Sequence, residues 1–156
     1  MKVCITNGLQ PSFIEAGLAG IWTPVLIPRI GYCEYRCTLC GQVCPTEAIR
    51  KLDLLKKQEI KIGSAMIDRG RCLPYAQSIP CLVCEEVCPT SKKAIWMELA
   101  SVRGRDGEVV LKQPRVDLAL CVGCGICETR CPIAGKPAIY VISAGESRSR
   151  DNQILL

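Results

Sequence analysis

Histidine is missing from this 156-residue chain. Its absence removes the usual general base of acid–base catalysis and the commonest nitrogen ligand of metal sites. It also excludes c-type haem attachment, which needs a histidine directly after a Cys-x-x-Cys pair. Aromatic residues are scarce, with two tryptophans, four tyrosines and one phenylalanine, so a conventional apolar core is thin. No apolar run is long enough to cross a membrane. The longest, AGLAGIWTPVLIP (16–28), is cut by Pro24 and Pro28 and flanked by Glu15 and Arg29. The N-terminal MKVCITNGLQPSFIE has one lysine and no long apolar stretch, so no secretory signal is visible. Neither a glycine-rich nucleotide loop after a strand nor a P-loop is present.

What the chain has in abundance is cysteine, thirteen residues in all. An exported chain with this density would read as a disulfide scaffold, but thirteen is odd and no export signal is seen. Metal is the simpler reading. Twelve of the cysteines fall in a unit repeated three times at an interval of about 40 residues. The repeats are CEYRCTLCGQVCPTEAI (33–49), CLPYAQSIPCLVCEEVCPTSKKAI (72–95) and CVGCGICETRCPIAGKPAI (121–139). Each ends in Cys-Pro, a short linker and Ala-Ile. A short helix can run through the last two cysteines of each unit, and proline stops it. AIWMELA (94–100) and AIYVIS (138–143) read as strands, and IKIGSAMID (60–68) and VVLKQPRVD (109–117) as strands leading into Cys72 and Cys121. GRDGE (104–108) reads as the turn of a hairpin. The predicted class is α+β, a bacterial-ferredoxin-like series of cysteine repeats with short helices and small antiparallel hairpins held by their metal. The segment 8–31 reads as a short helix after Pro11 and then a Pro-broken loop over the metal sites, with Trp22 and Val25–Ile27 alternatively docking a partner or membrane surface.

The third repeat, Cys121, Cys124, Cys127 and Cys131 before Pro132, has the gaps of two, two and three residues of the bacterial [4Fe–4S] run. Two-residue gaps let three thiolates face one cubane, and the fourth, a helical turn further on, faces away toward another cluster. Gly123 and Gly125 let main-chain N–H groups approach the sulfurs. The first repeat (Cys33, Cys37, Cys40, Cys44) carries one extra residue in its opening gap, and the second (Cys72, Cys81, Cys84, Cys88) carries a loop there. Zinc is the rival metal, but structural zinc sites usually use two separated pairs and often histidine. Three clusters at about −2 each nearly offset the formal net charge of +5. The scattered Lys and Arg residues therefore read as partners of cluster charge, and not as a nucleic-acid footprint.

Crossover between the first two repeats predicts one cluster on Cys33, Cys37, Cys40 and Cys88 and another on Cys72, Cys81, Cys84 and Cys44. The third then takes Cys121, Cys124 and Cys127 and needs a fourth ligand. Cys4 supplies it on this reading, because MKVC-Ile-Thr looks like the V-C-P-T tail of another run with Ile5 in place of proline. Cys131 becomes surplus. In the alternative, Cys131 closes its own cluster and Cys4 is a buried thiol.

These segments, GLQP, GIWTPVLIPRIGYCEY, LVCEEVCPTSKKAI after the long Cys72–Cys81 gap, and CVGCGICETRCP, together resemble the polyferredoxins of the NapG/MauM type, associated with periplasmic nitrate reductase and methylamine utilisation. The resemblance covers nearly the whole chain. It implies a four-cluster protein in which the first and last runs pair and the middle two pair. It also implies a redox donor and acceptor, with a quinol-side membrane partner as a candidate for one of them. Relative to that pattern the chain lacks the first three cysteines and an export signal. Met1 then reads as an internal start, or the chain as a C-terminal fragment. A fourth cluster would need an upstream segment. The compartment would be cytoplasmic for the chain as given, and periplasmic or membrane-associated for such a fragment.

The expected organisation is an N-terminal segment with Cys4 (1–31), a dicluster core (32–100), a third cluster unit (101–146) and a mobile tail (147–156). The expected function is one-electron relay through about three [4Fe–4S] clusters, and not enzymatic catalysis. Val43, Ile49, Val87, Ile95, Ile126 and Ile139 would keep water from the clusters. Glu34, Glu85, Glu86 and Glu128 read as solvated or salt-bridged, not catalytic. The alternatives are clusters that only staple the fold, or a zinc-binding cysteine-rich domain.

Overall fold

Short elements joined by turns are what a chain with so many Cys-Pro steps and ten prolines can build. The computed structural model describes residues 1–14, 17–104 and 107–147. The expected tail from Arg148 onward, and the centre of the GRDGE turn, lie outside the described residues. The elements run β1 (Leu9–Pro11), β2 (Pro24–Leu26), α1 (Leu39–Gln42), α2 (Leu54–Glu59), β3 (Ser64–Ile67), α3 (Leu73–Ala76), α4 (Val83–Glu86), β4 (Ile95–Gly104), β5 (Gly107–Val116), α5 (Ile126–Arg130) and β6 (Ile139–Ile142).

The strands form three separate antiparallel pairs. β4 and β5 make the expected hairpin, in register from Ile95↔Val116 to Gly104↔Gly107, and it runs straight across the expected boundary at residue 100. Pro114 can sit inside β5 because a two-stranded ribbon leaves each strand one unpaired edge. β3 pairs with β6, from Ser64↔Ile142 to Ile67↔Ile139, closing the third repeat against the strand that leads into the second. β1 and β2 pair over three residues. The segment 8–31 is thus a small hairpin with a 3₁₀ turn at Leu18–Gly20, and not the predicted helix and loop. Prolines facing each other at one end of its pairing, Pro11↔Pro24, leave it too short for an alternating pattern to be read.

The α-helices have four to six residues each, so packing and capping must hold them. α2 went unpredicted, although Asp53 caps it by accepting the Lys56 N–H at 2.8 Å. The core is built largely from cysteine. Cys84, Cys88, Cys121 and Cys127 are buried together with Ala65, Ala94, Ile95 and Ile139. All of these lie between residues 65 and 139. Val43, expected to exclude water, is 57% exposed.

Candidate metal centres

Each cysteine run begins and ends in the same local geometry wherever the sequence repeats. Asp68 stands four residues before Cys72, and Asp117 four before Cys121. In both cases the cysteine N–H donates to the aspartate carbonyl at 3.0 Å. The carboxylate in turn accepts an N–H two residues on, from Gly70 at 3.0 Å and Ala119 at 2.8 Å. These Asx turns fix the entry of the second and third runs. The repeated D-x-x-x-C spacing, absent from the expectations above, is the sequence signal for them.

The run ends are more informative. Cys44, Cys88 and Cys4 each have a threonine two residues on, and its hydroxyl lies against the sulfur at 3.7, 3.3 and 3.4 Å respectively. The turns at Cys4 and Cys44 match further. Asn7 and Glu47, three residues past the cysteine, both adopt positive φ, 57° and 54°. Each donates its N–H to the cysteine carbonyl, at 3.1 and 3.4 Å. The Ile49 N–H donates to the Cys44 sulfur at 3.5 Å, and at Cys4 the Thr6 hydroxyl and the N–H groups of Thr6, Gly8 and Leu9 all favour the thiolate. At Cys4 burial pushes the thiol upward, but these donors together outweigh it and leave the thiol below its usual range. The Ile49 N–H, first among the donors at Cys44, lowers that thiol as well. Cys4 thus has the local structure of a run-ending cysteine, as its C-x-T sequence suggested. Cys131, without the threonine, accepts the Ala138 N–H at 3.4 Å.

The sulfurs gather in three neighbourhoods, and the grouping differs from the expected one. Cys88 joins Cys121, Cys124 and Cys127 around a cavity closed by Ala65, Ile95 and Val141. It is not beside Cys33, Cys37 and Cys40. Burial pushes Cys124 up to about 11, with the charges of Cys121, Cys88 and Cys33 adding to the rise. Burial also raises Cys127 well above the usual range, followed by Cys124, Cys121 and Cys84. Cys131 faces Cys72, which burial and then Cys81 push up to about 11. Burial, followed by Cys72 and Cys81, takes Cys84 to about 12. Cys131 thus lies toward the second run. Cys4 acts on Cys40, which burial raises first, and not on the Cys121 run. Cys44, expected beside Cys72, Cys81 and Cys84, has no cysteine among the groups that perturb it. The physical reason is the order of packing. The β3–β6 pair sets the second and third repeats face to face, so the fourth cysteine of each lies against the other.

The neighbourhoods adjoin. Cys33 donates its N–H to the Cys124 carbonyl at 2.8 Å, and Cys124 lines the cavity of Cys33, Cys37 and Cys40 as well as its own. Cys84 and Cys127 link the other two groups. Gly123 (φ +71°) permits this closeness, since a Cβ there would stand 2.5 Å from the Gly63 backbone. Gly125 (φ +83°) begins α5 directly under Pro28. Segment 24–31 accordingly packs over the third run, while Trp22 remains 66% exposed.

Basic residues clamp the runs through carbonyls. Lys93 reaches the carbonyls of Glu85, Glu86 and Cys88, each at 2.9 Å. Arg29 donates to those of Glu128 at 3.2 Å and Ile133 at 2.9 Å. These cations offset the negative ends of α4 and α5. Glu128 is buried, contrary to expectation. Its carboxylate accepts the Val141 N–H at 2.6 Å, and burial raises its pKa.

The donor set fits iron–sulfur groups. Thiols this deeply buried stay protonated unless a cationic centre draws them into the thiolate form. Main-chain N–H groups aimed at sulfur favour that form. Among the described residues no three His, Cys, Asp or Glu side chains converge as the ligands of one metal ion would. A cubane asks for sulfurs set further apart than a single zinc ion does.

Comparison with known proteins gives the class first: residues 114–134 match the family model described as a 4Fe-4S binding domain. Particular relatives carry the likeness over most of the chain. The chain is 33% identical to the "Methylamine utilization ferredoxin-type protein MauM" of Methylorubrum extorquens, over 80% of this chain and 54% of that protein. It is 35% identical to the "Ferredoxin-type protein NapG" of Haemophilus influenzae, over 76% of this chain and 40% of that one. It is 28% identical to the "Ferredoxin-type protein NapF" of Escherichia coli, over 88% and 73%. The chain spans about half the length of the MauM relatives it matches. No solved structure gives a significant match. The resemblance to ferredoxin-type proteins of the Nap and Mau kinds thus holds beyond the cysteine runs. Among the described residues no helix is long and apolar enough to cross a membrane.

Proposed function

We propose that the chain relays single electrons through three [4Fe–4S] groups. One would be held by Cys33, Cys37, Cys40 and Cys4, the next by Cys121, Cys124, Cys127 and Cys88, and the last by Cys72, Cys81, Cys84 and Cys131. The observation that carries the reading is the place of Cys88 on the cavity of Cys121, Cys124 and Cys127, with Cys131 facing Cys72 in return. A [4Fe–4S] group supplies a one-electron couple in which no bond is made or broken. The chain's own residues hold it, exclude water and set its surroundings. Ile95 and Ile139 keep the central site dry, and the Cys33–Cys124 hydrogen bond places its neighbour alongside. Cys44 is left as a ligand for a group completed by residues outside these three sets, in the role the sequence pattern gave to Cys131. Donor and acceptor are redox proteins, with a quinol-side membrane partner a candidate for one of them.

Iron and acid-labile sulfide on anaerobically purified protein test this. About 12 of each per chain is expected, falling to about 8 in Cys4→Ala and in Cys131→Ala. Loss of iron from Cys44→Ala with Cys131→Ala unaffected would restore the pairing of the first two runs. Zinc in place of iron would end the electron-transfer reading. Clusters that do not cycle between dithionite and ferricyanide would be staples of the fold.

A further inference from the structure

Lys57 and Arg50 line the cavity of Cys33, Cys37 and Cys40, unlike the basic residues that clamp the other runs. Lys93 and Arg29 spend their charge on helix-end carbonyls. Lys57, on α2, lines the cavity of Cys33, Cys37 and Cys40. Its ammonium donates to the Glu34 carbonyl at 2.6 Å and lies 5.6 Å from the centre of the Tyr35 ring. One carbonyl and one ring face hold it in place without neutralising it. Among the described residues the one ion pair is Arg115–Glu98, so no carboxylate pairs with Lys57. The cavity of Cys88, Cys121, Cys124 and Cys127 has no lysine or arginine in its lining.

We infer that Lys57 is a potential-setting residue: its ammonium makes the site of Cys33, Cys37, Cys40 and Cys4 easier to reduce than it would otherwise be, without affecting the other two sites to a similar degree. The physical ground is charge. A four-thiolate group at about −2 goes to about −3 on taking one electron from a reductant, with no proton or bond change. A fixed cation in a partly buried cavity favours the more negative state, because low dielectric strengthens the attraction. The inference rests on the three-cluster reading proposed above.

The test is a dithionite titration of the intact protein followed by electron paramagnetic resonance, in wild type, Lys57→Met and Lys57→Arg, with iron measured on each. In Lys57→Met one couple is expected to move to more negative potential while the other two hold, and Lys57→Arg is expected to return it. The couple that moves is the one altered by Cys40→Ser. Three unmoved couples with full iron would overturn the inference, as would movement of a different couple. Loss of about four irons from Lys57→Met and from Lys57→Gln would also overturn it, making the residue structural. Absence of iron from the wild type would instead sink the three-cluster reading itself.

Discussion

The first cysteine run and the later two share one motif, yet they meet very different surroundings. The second and third runs interlock, and Cys84, Cys88, Cys121 and Cys127 are buried among Ala65, Ile95 and Ile139. In the first run all four cysteines are only half-buried, and Val43 and Leu39 face outward. The motif therefore specifies how a chain turns around its sulfurs, but not how deeply those sulfurs are buried. Depth follows from whether a neighbouring repeat is present to receive the fourth cysteine. Cys88 and Cys131 have such neighbours. Cys44 has the threonine contact that Cys88 has, but no cysteine among the groups that perturb it.

The largest effect expected from this contrast is on its two threonine-bearing cysteines. Cys88→Ala should lose about four irons and destabilise the chain by more than about 4 kcal/mol, because a core ligand and its metal go together. Cys44→Ala should keep its iron and its denaturation midpoint. Iron assays with chemical denaturation check both, and equal losses would erase the distinction. Next come the apolar residues after each run. Ile95→Ala, at 2% exposure, should cost about 2–5 kcal/mol through the cavity it leaves. Val43→Ala, at 57%, should stay within about 0.5 kcal/mol. The smallest contrast concerns two carboxylates thought alike from sequence. Glu128→Ala leaves the Val141 N–H without its acceptor and should cost about 1–3 kcal/mol. Glu34→Ala removes only a 3.4 Å acceptor for the Arg36 N–H at the surface and should be neutral within about 0.5 kcal/mol. Matching losses at Glu34 and Glu128 would mean the first run is packed more tightly than its exposure indicates.

Much of the local structure was legible because its causes are local. The Cys-Pro steps stop α4 and α5 within the predicted stretches, the apolar runs after Ala-Ile marked β4 and β6, and alternation marked β3, each to within a few residues. Three features escaped that reading. The β1–β2 pair is too short and proline-bound to show a period. α2 was announced only by its capping aspartate. The carbonyl-clamping residues Lys93 and Arg29 could be foreseen as cations near cysteines, but not by partner, since Arg29 reaches carbonyls about a hundred positions away.

By itself the sequence determined the chemistry on offer: three spaced thiol runs, a Cys4 set in the same C-x-T step that ends two of them, and turns after each Cys-Pro. Those follow from residue spacing, proline and the C-x-T turn, which act over a few residues. The tertiary structure alone decided where each fourth sulfur arrives. Cys4 lands beside Cys40, Cys88 beside Cys124, and Cys131 beside Cys72. A sulfur that leaves its own loop takes the partner that packing brings. Here the antiparallel pairing of β3 with β6 brought the third repeat to the second.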